Sequence, residues 1–218
     1  MAETNEIKYI AVEGAIGSGK TSLAKKLAEK LRADLILEQF ESNPFLEKFY
    51  SDRKRYAFQT QMFFLVNRYK QLEQLNQGNL FADTLVADYM FDKDRIFAYL
   101  NVEGEELKLY DSIFPLLAKN LRPPDLVVYL QSNVDRLMYN IKKRNRRMEK
   151  NMSRQYIEDL CEAYNNFFFL FNSAPLLIVN VSDIDFVNNE NDFDELYKQI
   201  FREDRGYTEY FNPGTRGF

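Results

Sequence analysis

The chain has 218 residues, 45% of them hydrophobic, enough for one compact domain (1–218) with a full-sized core. Its 29 basic and 33 acidic residues leave a net charge of -4, which argues against nucleic-acid binding through a general basic surface, and the absence of histidine excludes His-based triads, relays and zinc sites. The single cysteine, Cys161, permits no internal disulfide and suits a reducing, cytoplasmic setting, and no apolar stretch approaches the roughly 20 residues of a membrane span.

Short aliphatic runs alternate with longer amphipathic segments, the pattern of an α/β protein whose parallel sheet is flanked by helices. The first strand is read at Lys8–Val12, after an acidic amino terminus unlike a secretory signal. "GAIGSGKT" then runs through Gly14, Ala15, Ile16, Gly17, Ser18, Gly19, Lys20 and Thr21, and matches G-x-x-x-x-G-K-[ST] between a strand and a helix. Its glycines let backbone N–H groups point at phosphate oxygens, and the following helix adds a favourable dipole. Lys20 supplies a point charge and Thr21 a hydroxyl suited to Mg²⁺. The motif implies a bound nucleoside triphosphate.

A helix over Lys20–Leu31 leads to a second strand, Leu35–Leu37, and then to Glu38. Ligands gather at the carboxyl ends of strands in an open parallel sheet, so Glu38 is expected in the same crevice as Lys20. There a carboxylate can accept the proton of an attacking hydroxyl during phosphoryl transfer. Helices follow at Pro44–Tyr50 and Tyr56–Asn76. The latter carries Gln61 and Arg68, whose spacing places them on one face, while Phe58, Phe63, Phe64 and Tyr69 read as core.

The third strand, Leu85–Ala87, runs into "DYMFDKDRIFAY", and helices are expected at Lys93–Leu100 and Glu105–Asn120. "RPPD" stops the second of these before a strand at Leu126–Leu130. A helix at Val134–Arg144 ends in the basic stretch "KKRNRRMEK", which reads as a short lid over about 142–153. A helix at Arg154–Phe171, a fifth strand at Leu176–Asn180 and a helix at Phe193–Arg202 complete the pattern, and the end, about 207–218, reads as a tail or docked extension.

These stretches resemble the deoxynucleoside kinase family over most of the chain. The resemblance is carried by "EGAIGSGKT", "LEQFESNPFLEKFY", "RYAFQTQMFFLVNRYKQL", "ADYMFDKDRIFA", "PPDLVVYL" and "IKKRNRRMEKNMSRQYIEDL". It implies a P-loop kinase fold and transfer of the γ-phosphate of ATP, with Mg²⁺, to the 5′-hydroxyl of a deoxynucleoside. Glu38 then matches the general base, and Tyr50 and Glu149 match the residues that bind the sugar 3′-hydroxyl. Gln61 matches a glutamine that reads the base edge in a bidentate manner, and Arg68 an arginine paired with an aspartate, here Asp94. Arg144 and Arg146 match the lid arginines, and Asp88 a carboxylate that organises base or metal. A homodimer through a bundle of the two long helices is implied as well, and bacterial relatives with "NPF/Y" and this pair lean toward purines.

The chain departs from its relatives at Tyr89, where they carry an arginine. Tyrosine brings no charge, and Lys93, five residues beyond Asp88, is the cation expected to point into the cleft in partial replacement. Pairing Asp83 with the family carboxylate instead would move "DRIFA" out of register. A nucleoside monophosphate kinase of thymidylate type shares the P-loop and lid, but an acidic strand end repels a phosphate acceptor and suits a neutral hydroxyl. A non-catalytic nucleotide-binding module would need neither Glu38 nor the lid.

Overall fold

The computed structural model describes residues 7–76, 82–150 and 152–213. Strand β1 (Tyr9–Gly14) is buried along its whole length, as a strand flanked on both edges and covered on both faces must be. It pairs with β3 (Leu85–Ala87) on one side and β4 (Leu126–Gln131) on the other. Strand β2 (Asp34–Ile36) lies outside β3, while β5 (Leu176–Asn180) and β6 (Thr208–Phe211) lie outside β4, all parallel. The order is β2-β3-β1-β4-β5-β6, six strands where the sequence predicted five.

The sixth strand is built from the expected tail. "TEYF" is four residues long and half exposed, with no apolar run to announce it, and it pairs Ile178 with Tyr210 at the sheet edge. Residues 214–218 of that expected tail, and position 151 of the expected lid, lie outside the described residues.

Side chains leave β1 alternately, so one strand serves two cores. Ile10 and Val12 face α1 (Lys20–Leu31) and α8 (Glu190–Ile200), packing with Leu23, Leu27, Phe193 and Leu196. Tyr9 and Ala11 face the other layer. That layer comprises α2 (Leu46–Ser51), the start of α3 (Arg53–Asn76), α4 (Lys93–Asn101), α6 (Val134–Arg144) and α7 (Arg154–Phe169). A third cluster, with Leu65, Tyr89, Phe91, Tyr110 and Phe114, joins α3 to α5 (Gly104–Ala118).

Helix α2 starts later than predicted because Asn43 holds the preceding turn: its Oδ1 accepts from Phe45 N at 3.0 Å and its Nδ2 donates to Thr60 O at 3.0 Å. The connection from β1 leads toward β2 on one side, while that from β3 crosses β1 to reach β4. The sheet therefore opens a crevice at the carboxyl end of β1. Among the described residues no helix is long and apolar enough to cross a membrane.

Candidate active site

The loop from Gly14 to Lys20 wraps the carboxyl end of β1. Gly17 and Gly19 adopt φ of 91° and 97°, and a Cβ would lie 2.8 Å from Leu137 O at the first and 2.7 Å from the Phe186 ring at the second. Only glycine fits this curl. Lys20 Nζ donates to the carbonyls of Gly14 at 2.7 Å and Ala15 at 3.1 Å, and the Ser18 hydroxyl is buried without a partner. Such an orphaned hydroxyl in a backbone cradle fits a phosphate oxygen. Burial and the nearby Lys93 charge pull the Lys20 ammonium down to about 8.

Asp88, just past β3, ties the next two groups together. Its Oδ2 accepts from the Thr21 hydroxyl at 2.6 Å and its Oδ1 from the Glu38 backbone N–H at 2.8 Å. Thr21 and Asp88 form a hard-oxygen pair of the kind that holds Mg²⁺ together with substrate phosphates. Among the described residues no cluster of three or more Asp, Glu, Cys or His could hold a metal alone.

Glu38 stands two residues beyond β2, which ends one residue earlier than predicted. Its Oε2 accepts from Lys93 Nζ at 2.7 Å, and its Oε1 from Arg68 Nε at 2.9 Å and from Arg68 Nη2. Burial pushes its carboxyl up, but the charges and hydrogen bonds of Lys93 and Arg68 outweigh this and hold it well below the usual carboxylate range. Glu38 is thus an anion framed by two cations. Lys93 does point into the cleft, as the sequence predicted. Tyr89 does not: it is fully buried and its hydroxyl donates to Gln71 Oε1 at 2.9 Å.

Arg68 turns its remaining side to Asp94, with Nη1 donating to Asp94 Oδ2, and its guanidinium lies 4.7 Å over the Phe64 ring. Asp94 is fully buried, and Gln61 Nε2 donates to its carbonyl at 2.9 Å and to its Oδ1 at 2.5 Å. Burial raises the Asp94 carboxyl, while Arg68 and Gln61 act against the rise. The Gln61 amide nitrogen is thus already spent on Asp94, against the bidentate base contact that the resemblance implied, which needs that nitrogen free.

Glu38, Tyr50, Gln61, Arg68, Asp88, Lys93 and Glu149 line one cavity, which Ile16, Lys20 and Thr21 of the cradle also border. Asp94 sits behind that wall, and Phe40 and Phe64 contribute apolar faces. From the lid, Arg144 donates to Glu149 at 2.8 Å and 2.5 Å, and Arg146 lies 4.3 Å over the Phe40 ring and 3.7 Å from Glu149. Both arginines thus rest on the cavity roof. A second cavity opens between Gly17–Gly19, α6 and residues 184–188, and Arg144 borders both.

Sequence reasoning missed Glu13. This carboxylate is the next-to-last residue of β1 and is fully buried, and its Oε1 accepts from Met90 N at 2.8 Å. A carboxylate at the carboxyl end of a strand is what marks Glu38 in the sequence, and "YIAVEG" carries the same signal.

The deoxynucleoside kinase family profile matches residues 10–203. A deoxyguanosine kinase of Bacillus subtilis (strain 168) is 36% identical over 201 residues, covering 90% of this chain and 97% of that one. A deoxyadenosine/deoxycytidine kinase of the same organism is 32% identical over 200 residues, 88% and 90%. The structure of deoxyadenosine kinase from M. mycoides with bound dATP superposes with a TM-score of 0.77 at 25% identity, covering 88% of this chain and 98% of that one. With its cradle, framed carboxylate and basic lid assembled around one cavity, this chain belongs to the deoxynucleoside kinase family.

Proposed function

We propose that the protein transfers the γ-phosphoryl group of ATP to the 5′-hydroxyl of a deoxynucleoside, with purines favoured, in nucleotide salvage in the cytoplasm. The observation that carries this reading is the placement of Glu38. It borders the same cavity as Lys20 and Thr21 of the cradle on one side and Gln61 and Arg68 on the other.

Kept ionised by Lys93 and Arg68, Glu38 takes the proton of the attacking hydroxyl. Gln61 Oε1 meets the base edge, and Tyr50 and Glu149 hold the sugar. Lys20 offsets charge on the moving phosphoryl together with Arg144 and Arg146, and the Arg144-bordered second cavity takes the nucleoside end of ATP. Thr21 and Asp88 would hold Mg²⁺, which when bound neutralises phosphate charge. The purine lean rests on the names of the relatives, among them a deoxyguanosine kinase and a deoxyadenosine kinase.

A phosphate-bearing acceptor fits less well. Arg68 and Lys93, the cations beside Glu38, are both committed to carboxylates, so an acceptor phosphate would meet the Glu38 anion first. The test is ADP formation with deoxyguanosine, deoxyadenosine, deoxycytidine and thymidine against the corresponding monophosphates. Turnover of the purine deoxynucleosides is expected, and turnover of monophosphates alone refutes the proposal.

We infer a homodimer as well. Leu109 and Leu116 on α5 and Val66 on α3 are exposed apolar side chains on the two long helices. Sedimentation of a monomer at all assay concentrations refutes it.

A further inference from the structure

Glu13 has the wrong chemistry for its position unless it works there. A carboxylate sealed from water is expensive, and an amide or an apolar side chain would fill the same volume more cheaply. Its three hydrogen-bond neighbours are donors. Oε1 accepts from Met90 N at 2.8 Å, and Oε2 accepts from Gly14 N at 3.2 Å and from the Tyr164 hydroxyl at 3.3 Å. Tyr164 is itself fixed, stacked on Tyr129 with ring centroids 6.0 Å apart and edge-on to Phe97 at 6.2 Å.

Those contacts join the first residue of the phosphate cradle to the turn that launches α4. Within that turn Lys93 N donates to Met90 O at 3.3 Å and Asp94 N to Phe91 O at 3.0 Å. Lys93 then meets Glu38, and Asp94 meets Arg68 and Gln61. One carboxylate therefore stands where the cradle and the acceptor side of the site are pinned to each other.

We propose that Glu13 is a positioning residue for phosphoryl transfer: it fastens the entrance of the cradle to the Met90 turn and so holds the Lys93–Glu38 pair at a fixed distance from Lys20. Electrostatics agree with the geometry. Burial pushes the Glu13 carboxyl up, and the charges that act most strongly against this are those of Lys93 and Lys20. The proposal rests on the kinase reading of the site and deepens it.

The experiment is a double-mutant cycle of Glu13→Gln with Lys93→Ala, with initial rates of deoxyguanosine phosphorylation and the thermal unfolding midpoint read for each variant. Glu13→Gln is expected to lower kcat about tenfold or more, as a small misplacement of reacting groups does, with KM for deoxyguanosine changed by less than about threefold. In the Lys93→Ala background the same change is expected to cost about twofold at most, because Glu13 acts through Lys93. A purely structural role would instead reduce activity by the same factor in both backgrounds, and that result overturns the proposal, as does a kcat for Glu13→Gln within about twofold of wild type.

If Glu13→Gln does not fold, Tyr164→Phe removes one donor and spares the backbone contacts. Its kcat is expected about threefold down at a native midpoint, and an unchanged kcat overturns the proposal. Wild-type protein that phosphorylates no deoxynucleoside sinks the kinase reading itself, before any variant is compared.

Discussion

Replacing Lys93 with Met removes one ammonium from the cavity while keeping the length of its stem. The Lys93 side chain is 4% exposed and that of Glu38 16%, so water screens their 2.7 Å contact little. A hydrogen bond between charged groups in such a setting is worth about 1.5–3 kcal/mol. At about 1.4 kcal/mol per factor of ten, its full loss in the transition state would slow turnover by roughly 10- to 150-fold. One effect opposes this: without Lys93 the Glu38 carboxyl rises toward its ordinary range and becomes a stronger base. Arg68 still holds Glu38 from the other side, so the gain in basicity is partial while the loss of placement is complete. The expected result is therefore a kcat about 10- to 30-fold lower, the low end of that range, with KM for the nucleoside little changed. ADP release at saturating deoxyguanosine measures it. A Lys93→Met enzyme with kcat within about twofold of wild type would show that Lys93 does not stand in for the arginine absent at Tyr89.

Glu38→Gln is expected to lower kcat by about 10²–10⁴, the range for a lost general base. The same variant carries a stability signature. The folded Glu38 carboxyl lies below its ordinary value, so its contribution is present above about 4.5 and lost as pH falls further, and the stability gap between wild type and Glu38→Gln, read by urea melts, narrows from neutrality to near pH 3. Chelation of Mg²⁺ is expected to stop turnover, and Asp88→Asn to raise the Mg²⁺ concentration giving half-maximal rate about tenfold, checked by metal titration. Gln61→Ala leaves a base edge without its acceptor and is expected to cost about 10-fold or more in kcat/KM, with selectivity among the four deoxynucleosides flattened in a competition assay. Ending the chain at Arg205 removes β6 from the edge of β5, and a fall of about 3 °C or more in the unfolding midpoint is expected by calorimetry.

What the sequence made legible is what lies close together along the chain. The cradle is eight consecutive residues, and its strand–turn–helix context follows from local apolar patterning. Lys93 was legible because Tyr89 stands where the relatives carry an arginine, which leaves a cation to account for nearby. Glu13 was not, because its meaning comes from Met90 and Tyr164, 77 and 151 positions away, and nothing in "YIAVEG" says which donors will surround it. The edge strand β6 was hidden for another reason. Four half-exposed residues carry too little alternation to stand out from a loop, and only the open edge of β5 makes them a strand.

Arg68 shows most clearly what linear spacing cannot express. Its place opposite Gln61 on one helix face and its pairing with Asp94 suggested a residue concerned with the base. In the structure its guanidinium donates to Asp94 with one nitrogen and to Glu38 with the other two. A planar fork with five donors can serve two carboxylates at once, which an ammonium on a single stem does less well. The Gln61–Asp94 pair and the Glu38 carboxylate therefore share one cation. Under the proposed function, a base edge that engages Gln61 Oε1 would press on the Gln61–Asp94–Arg68 chain of hydrogen bonds, and the far end of that chain is Glu38. Contiguous hydrogen bonds, running through Asp94 behind the cavity wall, thus join Gln61 to Glu38. For that reason, changes at the base pocket belong in the same kinetic frame as changes at Glu38.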